Sequence, residues 1–296
     1  MGERIWETFK QWCLRDLSNE AFLSLTASPE TIVPLIEMFG RFLFTQGHSI
    51  YILRQLITYI QRWRPSFRGR LGGAWQLISR WESIEPLHHR TPLPAVVYRA
   101  MVTVGILWKW YRWAGVMMIA YEGICRPGEA INALRSDLVL GRDLVVEDIS
   151  TSYLIIRKPK GRRRGIGSVQ HVKIENLEVS LYLDRVFGRL ERHEPLFAGS
   201  PAAFRTRWDT VLKFLQIPLS LALTPASLRA GGAISAYRQN QEIAKILWRM
   251  RLRHIGTLQH YLQEVGAATI FSELPSRSRF LVESAAILYS AIISRS

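Results

Sequence analysis

Apolar residues in the first part of the chain recur at steps of three and four, the spacing of one face of an α-helix. One such run begins at Pro29 and ends at Gln46. Another begins at Ser49 and ends before Pro65, because proline lacks the N–H group that a helix needs. The pattern predicts four helices in the first eighty-odd residues.

A break in the pattern follows these helices. The stretch 84–94, IEPLHHRTPLP, contains three prolines and no hydrophobic period, which is typical of a domain boundary. We therefore predict two domains, residues 1–88 and residues 89–296. His88 and His89 are adjacent in this boundary, and a linker position is a better interpretation for them than a metal site.

After the boundary the period is first helical, then that of strands, then helical again. A long apolar helix is predicted over Ala95–Glu122, with its tryptophans in the core, and a final helix over Arg279–Ile293. The predicted strands are Leu144–Val146, Tyr153–Ile156 and Val169–Ile174. The expected fold class is mainly α with a small β-sheet: an N-terminal helical bundle followed by an α+β domain.

The composition favours a globular protein with a polyanionic partner. Of its 296 residues, 48% are hydrophobic, which is sufficient for a buried core. Lys and Arg number 39 against 24 Asp and Glu, giving a net charge of +15 and an isoelectric point near 10.3. Most of this excess lies after residue 90, so the second domain is the expected docking surface for nucleic acid.

The sequence argues against several other classes of protein. Cys13 and Cys125 lie far apart without metal-ligand spacing, so neither disulfides nor a metal site are expected. The N-terminus carries Glu3 and Glu7 and is not typical of a signal peptide. No stretch offers the ~20 apolar residues of a membrane span. We expect an intracellular protein without a membrane partner, not secreted, and nuclear if its source is eukaryotic.

Arg126 stands at the entrance of a predicted short helix. Gly123 closes the preceding helix, Pro127 occupies the first helical position, and Glu129 lies in the first turn, where a carboxylate complements the helix dipole. An arginine there can face a bound anion beside free N–H groups, with Glu129 holding it from behind. Such pairs also occur as purely structural features, so Arg126 by itself does not decide between the two roles.

Two basic clusters lie at turns. One surrounds Pro65 and is either a solvated helix end or an edge that contacts phosphates. In the other, six of the eight residues over 157–164 are basic, at a predicted turn between two strands. We interpret it as a rigid tip that reaches a nucleic-acid backbone; the alternatives are a solvated loop or a localisation signal. The candidate DNA contacts are Arg62, Arg64, Arg68, Arg70, Lys158, Arg162, Arg163 and Arg164.

The strongest chemical signal is the pairing of Arg229 with Tyr261, 32 residues later. Arg229 lies in a helical segment of small residues, where Gly231 and Gly232 allow close approach. Tyr261 is predicted on a polar helix that starts near Thr257. A guanidinium can grip a phosphate with two hydrogen bonds, and a phenol can attack it. The pair therefore indicates a phosphoryl-transfer site.

Four segments in this order resemble the tyrosine recombinases, the phage-integrase family, and especially the versions carried by eukaryotic mobile elements. They are GICRPGEAINALRSDL, IIRKPKGRRRG, TPASLRAGGA and TLQHYLQE, within roughly residues 95–265. The resemblance implies a helical DNA-clamping domain over residues 1–88 and an integrase-like catalytic domain over residues 89–296. The expected partner is double-stranded DNA, and whether the chain forms a homo-oligomer on it stays open.

The resemblance also implies a mechanism. Tyr261 would attack the scissile phosphate and form a covalent 3′-phosphotyrosyl intermediate, so that strands are cleaved and rejoined without metal or cofactor. Arg126 and Arg229 would neutralise the charge on the phosphorus, and a hairpin lysine would protonate the leaving 5′ oxygen. Lys160 is preferred over Lys158 for this role because it stands at the turn itself.

Two positions depart from the family pattern. Ala226 stands three residues before the second arginine, where the family has histidine, and Leu252 stands nine residues before the tyrosine, where it has histidine or tryptophan. Neither side chain can donate a hydrogen bond, and each lost donor costs on the order of a hundredfold in rate. His254 and His260 are the nearby candidates for replacing them. Two hypotheses follow: a recombinase, weakened or not, and a non-catalytic DNA-binding protein derived from one.

Overall fold

The structure is a computed structural model. It describes residues 2–85, 91–144, 150–157, 159, 169–252, 255, 258 and 264–295, with 264–268 as backbone only. The chain divides into two compact units, Met1–His88 and His89–Ser296. Each unit has its own hydrophobic core. The DNA-clamping and catalytic roles assigned to the two parts from the sequence stay predictions.

The first unit is a helical bundle. Ser28 and Ser49 cap two of its helices, where their hydroxyls accept the N–H groups of Thr31 and Tyr51 at 3.4 and 3.2 Å. The predicted helices that begin at these serines are confirmed, and the described residues contain one helix more than the four predicted. The helices are α1 Gly2–Cys13, α2 Asn19–Leu25, α3 Pro29–Thr45, α4 Ile50–Trp63 and α5 Gly72–Ile84.

The second unit is mainly helical and contains a small antiparallel sheet of order β1-β2-β3. The predicted fold class is therefore confirmed. Its strands are β1 Leu138–Val139, β2 Ser152–Ile156 and β3 Gln170–Ile174. Its helices are α6 Ala95–Leu107, α7 Tyr111–Glu122, α8 Pro127–Ile131, α9 Leu177–Phe187, α10 Pro201–Phe214, α11 Ser227–Arg238, α12 Ile243–Met250, α13 Glu264–Glu273, α14 Ser276–Ile287 and α15 Tyr289–Arg295. No helix in the described part of the chain is long and apolar enough to cross a membrane.

Strands β2 and β3 occur where the sequence predicts them, and their ends, Ile156 and Gln170, pair across the root of the basic hairpin. The strand predicted over Leu144–Val146 is wrong at Leu144, which lies in a bend. The reason is a tight turn before it: the Asp143 carboxylate accepts the N–H of Leu140 at 2.9 Å and the guanidinium of Arg135 at 2.9 Å. The rest of that predicted strand lies outside the described residues.

The helix predicted over Ala95–Glu122 is two helices, α6 and α7. The chain reverses at Lys109, whose φ of 61° is left-handed, and the N–H of Trp110 donates to the carbonyl of Gly105 at 2.8 Å. This is the usual way in which a left-handed residue ends a helix. Trp113 is fully buried against α6, as expected of a core residue. The final predicted helix is likewise divided, at Leu288.

Close packing of α11 against α7 generates a prediction at Gly232. A Cβ atom at this position would lie 2.1 Å from the carbonyl oxygen of Tyr121, which belongs to the backbone and cannot rotate away. Gly232→Ala should lower the free energy of unfolding by about 1–3 kcal/mol, measured by urea denaturation. The matched control is Gly128→Ala in α8, where the nearest atom would be 3.9 Å away. Equal stability of the two variants would contradict this packing.

Candidate functional site

Arg126 is fixed at the entrance of α8 by Glu129. Its backbone N–H donates to Glu129 Oε2 at 2.9 Å, and its Nη1 donates to Glu129 Oε1, also at 2.9 Å. The Arg126 side chain is 39% exposed, whereas that of Glu129 is 10% exposed. The carboxylate thus holds the guanidinium from the protein side, and the arginine keeps access to solvent.

Glu129 is shared with a second guanidinium, that of Arg251. Arg251 Nη2 donates to Glu129 Oε2 at 2.5 Å, and the Arg251 side chain is 9% exposed. Arg251 directly follows α12 and has a φ of 55°, a left-handed conformation that favours glycine. The carboxylate therefore ties the end of α12 to the start of α8.

Arg229 joins the same group from α11. Its side chain is buried, and its Nη2 donates to the carbonyl of Met250, the residue before Arg251. The contacts run without interruption from Arg229 through Met250 and Arg251 to Glu129 and Arg126. We call these four charged side chains, Arg126, Glu129, Arg229 and Arg251, the arginine–glutamate network.

The thiol of Cys125 lies within the electric field of this network. The pKa of the thiol is raised to about 12, chiefly by burial and also by the charge of Glu129, whereas the charges of Arg251 and Arg229 act to lower it. The thiol of Cys125, the residue before Arg126, is therefore influenced by all three of these charges.

An apolar cluster adjoins the network through Met250, whose carbonyl accepts the hydrogen bond from Arg229. Ile124, Met250 and Leu258 are buried in it, and Leu252 packs against it. Ile124 has a φ of 51°, which is unusual for a β-branched residue and indicates that packing holds the backbone in this conformation. The side chain of Leu252 thus makes apolar packing contacts with this cluster.

Ala226, the other departure from the family pattern, is the residue before α11. It makes no side-chain hydrogen bond at this helix start. The hydroxyl of Ser227 instead accepts the N–H of Thr224 at 3.1 Å. The structure therefore provides no donor at Ala226 itself.

The sheet lies against the segment that leads to Arg126. A Cβ atom on Gly123 would lie 2.4 Å from Cγ1 of Val172 in β3, so only glycine permits this contact. At the base of the hairpin, Arg157 Nε donates to Asp137 Oδ1 at 2.5 Å. Strand β3 thus packs beside Gly123, three residues before Arg126, and the root of the basic hairpin is tied to Asp137.

The structure describes only some of the predicted site residues. It brings Arg126, Glu129 and Arg229 into one network. The predicted catalytic, supporting and hairpin residues that are not in the network lie outside the described part of the chain, and their roles stay predictions. They are Tyr261, Lys160, His254, His260, Lys158, Arg162, Arg163 and Arg164.

The four arginines predicted to contact DNA in the first unit have different environments. Arg64 is part of the packing, because it donates to a backbone carbonyl and its guanidinium lies 4.6 Å from the ring centroid of Trp63. Arg70 pairs with an exposed carboxylate at 2.5 Å. Arg62 and Arg68 are exposed. Their contact with DNA stays a prediction.

Comparisons with known proteins bear on the fold. No protein-family model matches the chain, and no curated protein matches its sequence. The crystal structure of the XerH site-specific recombinase, bound to its difH substrate in a pre-cleavage complex, is similar at a TM-score of 0.52 and 14% identity, over 86% of this chain and 71% of that chain. The chain has the fold of a site-specific recombinase. The XerA recombinase also matches, at 16% identity over 92% of this chain and 98% of that chain, with a TM-score of 0.45.

Within this recombinase fold, Arg251 is the member of the network that the sequence does not single out. It stands in the basic run RMRLRH, where composition does not distinguish one arginine from the next. Its partner Glu129 lies 122 residues earlier in the chain. The one local signal is the position of Arg251 next to Leu252, where the family pattern has a donor.

The buried pair Glu129–Arg251 generates a prediction about stability. Glu129→Gln keeps the shape of the side chain but leaves the buried Arg251 without its counter-charge, which should cost about 3–5 kcal/mol in unfolding free energy. Urea denaturation followed by circular dichroism measures it. The control is Arg205→Gln, which breaks the pair with Asp209 where both side chains are more than 40% exposed; about 0.3–0.5 kcal/mol is expected there. Equal losses would contradict the burial of the network.

The raised pKa of Cys125 generates a prediction about pH. The folded state keeps this thiol protonated up to about pH 12, whereas an unfolded chain releases the proton near its ordinary value of 9. The stabilisation is therefore fully present below pH 9 and is lost as pH rises toward 12. Between pH 8 and pH 10, the wild type should lose about 1.4 kcal/mol more unfolding free energy than Cys125→Ala, measured in urea. Parallel pH profiles of the two proteins would contradict the burial of this thiol.

Proposed function

We propose that this chain is a tyrosine recombinase, which cleaves and rejoins DNA strands through a covalent 3′-phosphotyrosyl intermediate. Tyr261 is the nucleophile, and Arg126 and Arg229 bind the scissile phosphate. The proposal combines the four sequence motifs with the recombinase fold and the arginine–glutamate network.

The network is the observation that carries this proposal. Three guanidinium groups and one carboxylate leave a net positive charge in a partly enclosed region. Positive groups that are already in place need no reorganisation when charge develops on a phosphorus, and such preorganised stabilisation is the largest contribution in many enzymes. Arg126 is the exposed member, so a phosphate would meet it first.

The proposed chemistry needs no external energy source. The phenol of Tyr261 releases its proton to solvent, and its oxygen bonds to the phosphorus while the bond from phosphorus to the 5′ oxygen breaks. The leaving 5′ oxygen takes a proton from Lys160 and becomes a hydroxyl. The reverse reaction, with a 5′ hydroxyl as the nucleophile, rejoins the strands and releases Tyr261, because the phosphodiester energy is kept in the protein–DNA bond.

Double-stranded DNA is the proposed partner. The net charge of +15 favours a polyanion, and Arg62, Arg68 and the basic hairpin are candidate contacts to its phosphates. The XerH structure holds a DNA substrate of its own, which is consistent with this choice for a chain of the same fold.

A second function is favoured by a specific observation. The side chains of Ala226 and Leu252 offer no donor to a phosphate, and Leu252 is engaged in apolar packing. A chain that keeps the arginine grip without these donors would suit a DNA-binding protein that is derived from a recombinase and no longer cleaves. The two functions differ in whether a covalent adduct forms.

The test is the formation of that adduct. The full chain is incubated with a random-sequence pool of nicked DNA duplexes, in which a short cleaved fragment dissociates and traps the covalent complex. We expect an adduct that survives denaturation, with the DNA attached to Tyr261 by mass spectrometry. Tyr261→Phe should form none, and Arg126→Ala or Arg229→Ala should lower its yield about a hundredfold because each removes a donor to the phosphate.

Duplex binding is measured in parallel, as a function of salt. Salt-sensitive binding without an adduct would favour the second function, because phosphate contacts release counterions whether or not cleavage follows. Absence of duplex binding at moderate salt would contradict both. Tyr237→Phe, which changes an exposed phenol on α11, is the matched control for the loss of a tyrosine hydroxyl and should leave the adduct yield unchanged.

A further inference from the structure

The sharing of Glu129 between two arginines has an electrostatic consequence for Arg126. A lone carboxylate at 2.9 Å from a guanidinium would largely cancel its charge and compete with a phosphate for its donors. Arg251, at 2.5 Å from the other oxygen, takes up part of the negative charge of Glu129. Arg126 therefore keeps positive charge to offer to an anion.

Arg251 also fixes the neighbouring backbone to which Arg229 is bound. The carbonyl of Met250 accepts a hydrogen bond from Arg229, and Met250 directly precedes Arg251. Because Arg251 is anchored on Glu129 at the entrance of α8, its position determines where that carbonyl lies. One dipeptide, Met250-Arg251, thus links the two arginines that are predicted to bind phosphate.

The environment of Arg251 does not suit a residue kept for stability. Within the described part of the chain, Nε and Nη1 of Arg251 are buried and have no hydrogen-bond partner. Buried donors without partners are destabilising. Its left-handed φ of 55° is a further cost. A buried cation in such a place indicates a role that a smaller residue could not fill.

We propose that Arg251 is a positioning residue that holds Arg126 and Arg229 ready for a single phosphate. It acts on Arg126 through the carboxylate of Glu129 and on Arg229 through the carbonyl of Met250. The inference rests on the proposed function for the identity of the phosphate, which is that of DNA. Phosphate binding by Arg126 and Arg229 can be tested separately, with inorganic phosphate as the ligand.

The test is a double-mutant cycle on the full chain with Arg251→Gln, Arg126→Ala and both together. The rate of adduct formation is measured at saturating DNA, and the dissociation constant of inorganic phosphate by calorimetry. Arg251→Gln should slow the adduct and weaken phosphate binding, each by about 10- to 100-fold, a range typical of residues that orient a ligand-binding side chain. In the Arg126→Ala background the same change should have a smaller effect, because only its action through Arg229 remains and residues that act through each other are not additive.

Two further variants separate positioning from general stability. Arg251→Lys keeps a cation beside Glu129 and should recover part of both the rate and the phosphate affinity. Arg249→Gln is the matched control, because Arg249 is a buried arginine two residues earlier, in α12, that bonds to Gln241 at 2.7 Å and to a backbone carbonyl. It should change the thermal midpoint without changing the adduct rate or the phosphate affinity.

The outcomes are distinguishable from those of the proposed function. Independent, multiplicative losses in the cycle would overturn the positioning role and make Arg251 a structural residue. Unchanged phosphate affinity in Arg251→Gln would also overturn it, as would a wild type that does not bind phosphate. If the wild type binds phosphate but forms no DNA adduct, the proposed catalytic function is contradicted. The double-mutant cycle measured with inorganic phosphate still decides the role of Arg251.

Discussion

The carboxylate of Glu129 is the one group on which the candidate site depends. It is nearly buried, it accepts hydrogen bonds from Arg126 at the start of α8, and it accepts another from Arg251 at the end of α12. Burying such charges is unfavourable unless each is paired with good geometry. The pairing therefore selects one relative position of these two chain segments.

The surrounding fold makes that position attainable. Gly232 lets α11 approach the carbonyl of Tyr121 in α7, and Gly231 lets it approach the carbonyl of Leu93. Helix α11 brings Arg229 with it. Gly123 leaves space for Val172 of β3, which places the sheet against the segment that leads to Arg126. Glycines thus allow these backbones to pack closely, and the close packing lets the charged side chains of the network reach one another.

One of the two departures from the family pattern, Leu252, has a physical explanation in this structure. Leu252 packs against the apolar cluster that includes Ile124 and Met250. A polar side chain pointing into that cluster would carry a desolvation cost. The structure replaces a hydrogen-bond donor with packing at this position, while Arg251, the residue next to it, supplies a buried charge. The network is therefore organised around arginines more than around the histidine or tryptophan of the pattern.

The sequence by itself determined the features that depend on neighbouring residues. The starts of α3 and α4 follow from serine caps, and the end of α4 follows from a proline. Strands β2 and β3 follow from alternation over five residues. The motif around Arg126 already contained Glu129, since both lie in one helical turn. Only the tertiary structure decided where Lys109 divides a long apolar run, where Asp143 turns the chain before Leu144, and that Arg251 belongs beside Glu129. The place of Arg251 depends on a contact between segments 122 residues apart, and the turns at Lys109 and Asp143 depend on individual hydrogen bonds. No local pattern of hydrophobic and polar residues contains these energies.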